Sequence, residues 1–187
     1  MDSTMAETAE LSAGFIKQSV FEGLFVHMVH VQPGTPFAAA LQQAGYDVAH
    51  PRSNYPSSVL QAVLAVAGRE LFPGKPLPEA QWAVGRRFVE GFFKTLAGRT
   101  VALLLPVFGA EGLVKQLPRF FLTGNSSSVI TVTREGERSW RFELRDRFPS
   151  CEFAGGIIEE LMRRAGLEPQ VTVVERGAGH FVLRLRW

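Results

Sequence analysis

Ser128-Val129-Ile130-Thr131-Val132-Thr133-Arg134-Glu135-Gly136-Glu137-Arg138-Ser139-Trp140-Arg141-Phe142-Glu143-Leu144-Arg145 is where this chain changes period. Ile130 and Val132 alternate with Thr131 and Thr133, and Trp140, Phe142 and Leu144 alternate with Arg141, Glu143 and Arg145. The polar break Arg134-Glu135-Gly136-Glu137 between two such runs predicts an antiparallel hairpin with one face buried and the other wet. Downstream, Pro149-Ser150 opens a helix with Phe153, Ile157, Leu161 and Met162 on one face. Its other face carries the i,i+4 pairs Glu159/Arg163 and Glu160/Arg164, and Gly166 stops it. A second hairpin follows, Val171 to Glu175 and Phe181 to Trp187, around Arg176-Gly177-Ala178-Gly179. The C-terminal part is thus expected to be a ββαββ unit.

Upstream the spacing is helical. Phe15 to Val31 alternates like a strand but has the length of a helix, so both readings stay open, with helix preferred. Thr35 to Ala44 is a short helix with Pro36 in its first turn and Gly45 as its stop, and Asp47 to Asn54 is a loop. Pro56 starts a helix through Val59, Leu60, Val63, Leu64, Ala67 and Leu71, which ends before Pro73-Gly74. Pro76 and Pro78 introduce the next, Glu79 to Ala97, closed by Gly98. Projected at about 100° per residue, it gathers Val84, Phe88, Phe92, Thr95 and Leu96 on one side with Val89 and Phe93 adjoining, and leaves Arg87, Glu90 and Lys94 as a narrow polar side. Such an arc means a helix largely enclosed by protein. Val101 to Phe108 is expected as a buried helix or irregular apolar segment interrupted by Pro106, and Leu113 to Phe121 as a short helix. The fold class is α+β: a helical N-terminal half packed on a C-terminal antiparallel ββαββ unit.

Composition agrees with one domain. The chain has 187 residues, 46% hydrophobic and 20% charged, enough for a real core. Met1 to Leu11 holds three acidic residues and no basic one, so residues 1–14 are expected as a disordered leader rather than a secretory signal, with the domain over 15–187. One cysteine excludes an internal disulfide framework and a Cys-rich zinc site, and points to a reducing, cytoplasmic compartment. Lys+Arg number 20 against 18 Asp+Glu, which leaves no field for nucleic acid. The most apolar runs, Val59 to Ala67 and Val101 to Ala110, fall short of the roughly 18 residues of a membrane span, so none is expected.

Several strings together resemble a myxobacterial paralogous family of unassigned function: Gly45-Tyr46-Asp47, Tyr55-Pro56, Leu71-Phe72-Pro73-Gly74, Gly85-Arg86-Arg87-Phe88, Gly91-Phe92, Thr95-Leu96-Ala97-Gly98-Arg99, Leu117-Pro118-Arg119 and the terminal Trp187. The likeness covers residues 15 to 187. More distantly, the C-terminal block around Cys151-Glu152-Phe153-Ala154-Gly155-Gly156-Ile157-Ile158 is similar to the superfamily of 4-vinyl reductase domains, Golgi transport-particle subunits and haem nitric-oxide-binding domains. That resemblance implies a 4-vinyl reductase/haem-NO-binding-like fold, which holds an apolar small molecule between helices and sheet or serves as an assembly module. The haem-binding members hold the propionates with a Tyr-x-Ser-x-Arg pattern. Tyr55-Pro56-Ser57-Ser58-Val59 has the Tyr and a Ser but Val in place of Arg, so haem is not expected.

Catalytic and metal machinery is sparse. His27 and His30 lie three apart with only Glu22 nearby, and His180 has no companion, so no metal site is expected. Gly124-Asn125-Ser126 to Ser128 lacks phosphate-loop spacing, and no Gly-x-Ser-x-Gly elbow exists. Cys151, just inside a helix N-terminus where amides lower a thiol pKa, is a candidate reactive thiol, against a plain reading as a small core residue. Arg86 sits at the edge of an aromatic arc beside Trp82, Val89 and Phe93, where it can anchor an acidic ligand group or instead stack on Trp82 or bridge a carboxylate structurally. Arg99 and Arg119 carry the same two readings. The expected function is therefore a non-enzymatic sensory or ligand-binding domain for a hydrophobic or aromatic small molecule. Its candidate liners are Tyr55, Trp82, Phe88, Phe92 and Phe93, with Arg86 as anchor. The alternative is a homodimerising or protein-binding module with an exposed apolar patch, and the third reading, a haem or metal sensor, is disfavoured.

Overall fold

The computed structural model describes residues 14–126 and 128–187; the expected leader lies almost wholly outside them. The period-two segments form β3 (Val129–Gly136), β4 (Ser139–Arg145), β5 (Gln170–Gly177) and β6 (His180–Arg186), after a small pair, β1 (Phe15–Lys17) and β2 (Asn54–Pro56). The large sheet is antiparallel throughout, in the order β3-β4-β6-β5. Its register sets Ile130 against Leu144 and Val132 against Phe142, and Phe142 against Leu183. One face of the sheet therefore becomes a continuous apolar wall, including Trp140, Phe142, Leu144, Phe181, Leu183 and Leu185, all buried.

That wall is covered by α6 (Cys151–Arg164), whose buried residues include Ala154, Ile158, Leu161 and Met162 and whose Glu159 and Glu160 pair with Arg163 and Arg164 as the spacing predicts. The N-terminal half comprises α1 (Gln18–Phe21) running into a π-helix (Glu22–Met28), then α2 (Pro36–Gln43), α3 (Ser57–Leu71), α4 (Leu77–Phe92) and α5 (Leu96–Gly124). The Phe15 to Val31 expectation is thus corrected at both ends: Phe15–Lys17 pairs as a strand, residues 18–28 are helical, and Val29, His30 and Val31 lie beyond the helix, with His30 at a φ of 58°. Phe21, Phe25, Tyr46 and Tyr55 pack ring on ring in the helical core.

The helix expected over Glu79 to Ala97 ends early. Phe92 is its last residue, and Thr95, placed on its apolar side by projection, instead caps α5 by accepting the Gly98 N–H at 3.0 Å and donating to the Phe92 carbonyl at 2.7 Å. A Cβ at Gly98 would fall on that same Phe92 carbonyl, so Gly98 belongs to the first turn of α5 and does not close α4. Leu96, also expected on the enclosed side, is 86% exposed.

The two segments expected after that are one element. α5 contains both Pro106 and Pro118, and it changes direction at Gly109, where φ is 61° and ψ is −178°. Its first limb is not the buried segment expected, since Leu103 and Val107 are each 78% exposed and Leu104 44%. By length and composition α5 would suffice to cross a membrane, although no uninterrupted apolar run in the sequence reaches that length. Uninterrupted apolar runs missed it because Arg99, Glu111 and Lys115 punctuate the stretch. As folded, each limb is only roughly 20 Å long at about 1.5 Å per residue, less than the roughly 30 Å of a hydrocarbon core.

Two apolar cores result, one among the N-terminal helices and one between α6, the second limb of α5 and the sheet. Phe93, Phe120 and Ile157 touch both.

Candidate functional site

The seam between those cores is incompletely filled. A cavity of about 100 Å³ lies there, lined by Ser57 and Leu60 of α3, Phe88, Val89 and Phe92 of α4, and Phe93 just beyond it. Both limbs of α5 contribute, Val101 from the first and Phe120, Phe121 and Gly124 from the second. Phe153, Ala154, Ile157 and Leu161 of α6 and Leu144 of β4 close it. The mismatch has a visible cause. Phe88 stacks on Phe92 and meets Phe153 at a tilt of 56°, with ring centroids 5.2 Å apart in each pair, and rigid rings at a junction of four elements leave gaps that flexible aliphatic chains would close.

One end is polar. Asp146, 4% exposed, accepts from Ser128 Oγ at 2.7 Å, Asn125 Nδ2 at 3.1 Å and the Phe148 amide at 3.0 Å. All three side chains line the cavity, with Ser150 nearby. Asn125 and Ser128 belong to the loop set aside in the sequence for lacking phosphate-loop spacing, and Asp146 went unremarked there, although the parity of β4 carries its signal: Trp140, Phe142, Leu144 and then Asp146 all turn inward.

Of the expected liners, Phe88, Phe92 and Phe93 meet at the cavity, whereas Tyr55, Trp82 and Arg86 do not. Tyr55 belongs to the aromatic cluster of the helical core, and its hydroxyl accepts the Arg52 amide at 2.6 Å. Trp82 lies on the face of α4 that crosses α6. A Cβ at Gly155 would collide with its ring and one at Gly156 with its carbonyl, and its Nε1 donates to Glu159. Arg86 is exposed and sits 3.7 Å from the same Glu159, so it bridges the two helices rather than anchoring anything in the cavity. Arg119 and Arg99 are exposed and do not line it either.

Cys151 is the first residue of α6, yet its thiol moves against the expected direction. Burial, and then the Glu152 carboxylate, push it up to about 12, with Arg176 opposing. The histidines are scattered: His27 bonds Glu22, His50 bonds Asp47 and His180 bonds Glu175. No cluster of metal-ligating side chains occurs among the described residues.

Helices packed across one face of a four-stranded antiparallel sheet, around an apolar cavity at their seam, define an H-NOX-like α+β domain. Solved structures agree on the fold. An H-NOX protein from S. oneidensis in the Fe(II)NO ligation state is 16% identical, with a TM-score of 0.68 over 91% of this chain and 98% of that one. A Cs H-NOX mutant bearing 4-cyano-L-phenylalanine is 15% identical, with a TM-score of 0.66 over 91% and 96%. An oxygen-binding H-NOX domain related to soluble guanylate cyclases is 15% identical, with a TM-score of 0.54 over 100% and 94%. No curated protein matches. The chain belongs to the family described as protein of unknown function DUF2378, which matches residues 15–187.

The haem of those structures poses a test for the residues present. Among the described residues lining the cavity there is no His, Cys, Tyr or Met to ligate iron and no Arg or Lys to meet a propionate. On size, a cavity of about 150 Å³ takes benzene, and porphyrin is far larger. The lining does not fit haem.

Proposed function

We propose that this chain is a haem-free ligand-binding or sensory domain that takes one small apolar or aromatic molecule at the seam between helical half and sheet. The observation that carries the reading is the cavity itself, walled by Phe88, Phe92, Phe93, Phe120, Phe121 and Phe153, with Asn125, Ser128 and Asp146 hydrogen-bonded together among its few polar residues. Such a wall binds hydrocarbon without much orientation, and a few polar groups then fix it. Among the described residues that line the cavity no histidine stands beside the serines to act as a base, which favours binding over serine-based hydrolysis. At about 100 Å³ the cavity is smaller than the cavities of about 150 Å³ that take benzene, so a short chain suits it as it stands and a single ring enters only with a shift of its walls.

Native mass spectrometry and organic extraction of the purified protein, followed by amide-detected NMR with added toluene, test it. A co-purifying small molecule, or toluene shifts centred on Phe88, Phe120 and Phe153, are expected. Neither a bound molecule nor any toluene shift would remove the reading.

A second reading, self-association as in an assembly module, is supported by a different observation. Leu96, Leu103, Leu104 and Val107 expose one side of the first limb of α5. An apolar stripe of this kind is uncommon on a monomer, and a two-fold axis would cover it with its own copy.

A further inference from the structure

We infer that the cavity discriminates by head group, accepting small aromatic or aliphatic alcohols and amines and rejecting carboxylates. The inference rests on the ligand-binding reading and adds the ligand's chemical class. Asp146 is the one charged side chain among the described residues that line the cavity, and it is buried. A buried carboxylate repels an incoming anion through a medium that screens far less than water. Asp146 is already held by Ser128, Asn125 and the Phe148 amide, so the selection comes from its charge rather than from an open valence.

Groups that favour an anion stand further out. The N-terminus of α6 points amides toward Pro149 and Ser150, but its first turn already holds Glu152, which is paired with Arg176. Arg147 is exposed, with its guanidinium 5.4 Å from the Phe148 ring centroid, and does not line the cavity. Exposed cations are screened by water and salt, whereas Asp146 is not. The lining hydroxyls of Ser57, Ser128 and Ser150 suit a neutral or cationic donor.

Three probes of matched shape separate the outcomes: 2-phenylethanol, 2-phenylethylamine and phenylacetate, with toluene as the headless control, each titrated by NMR and calorimetry. The alcohol and amine are expected to bind at least tenfold more tightly than phenylacetate. Asp146→Asn should shrink that gap to about threefold or less. Because Asp146 also ties down Ser128 and the Phe148 amide, Phe148→Lys provides a second variant, which sets a cation at the same end and should raise phenylacetate affinity. Phenylacetate binding as tightly as the alcohol, or a gap unmoved by either variant, would overturn the inference and leave the apolar cavity standing. Toluene binding while all three probes fail would do the same. Failure of toluene as well would overturn the ligand-binding reading itself.

Discussion

At Cys151 two effects compete for one proton. A helix N-terminus favours the thiolate, but at 7% exposure the loss of hydration and the adjacent Glu152 carboxylate win, and the thiol moves from 9.0 to about 12. Tyr46, in the aromatic cluster, moves from 10.0 to about 12, first by burial and then by the charges of Tyr55, Glu22 and Asp47. Both groups hold their protons more tightly folded than unfolded. Their contribution is therefore complete below pH 9 and is lost as pH rises between 9 and 12. Urea midpoints should be flat from pH 7 to the mid-eights and fall beyond, and Cys151→Ala should make the first part of the fall shallower. Identical slopes in both proteins would show that the thiol takes no part. The residue scale is also where sequence reading succeeded unevenly. Phe88, Phe92 and Phe93 reach the cavity because they lie on the wide apolar arc of α4. Trp82 and Arg86 border that arc too, but α6 crosses there at near backbone contact through Gly85, Gly155 and Gly156. A single-helix projection contains no information on which neighbour covers which part of the arc. Asp146 was legible in principle, since the alternation that predicts β4 continues one step past its last strand residue.

At the scale of elements, the alternating hairpins and the salt-bridged α6 follow their sequence signals closely, because period and turn chemistry are local. α4 and α5 do not. The Thr95 cap lies inside what reads as one helical stretch, and a buried hydroxyl that closes one helix while opening the next leaves no break in hydropathy. Gly109 is the reverse case. Nothing lies within 4 Å of where its Cβ would be, so the glycine is required by its positive φ and extended ψ rather than by crowding. Gly109→Ala should cost about 1–3 kcal/mol, the usual range for a side chain forced into that region, read by urea unfolding. An unchanged midpoint would mean that residue 109 does not hold this conformation in solution.

For the molecule as a whole, the first limb of α5 puts Leu96, Leu103 and Val107 into water while Val101 and Leu105 face inward. If that side is covered by a second copy, light scattering should give a dimer, and Leu103→Glu with Val107→Glu should give a monomer whose thermal midpoint is otherwise unchanged. A monodisperse wild-type monomer would count against self-association. The bend at Gly109 bears on the cavity too. Val101 stands on one limb, Phe120 and Phe121 on the other, and all three line the same space. Whatever occupies that space is wedged across a pivot like a strut in an elbow. The bend and the cavity therefore share their walls, and a molecule that filled this small interior volume would bear on both limbs at once.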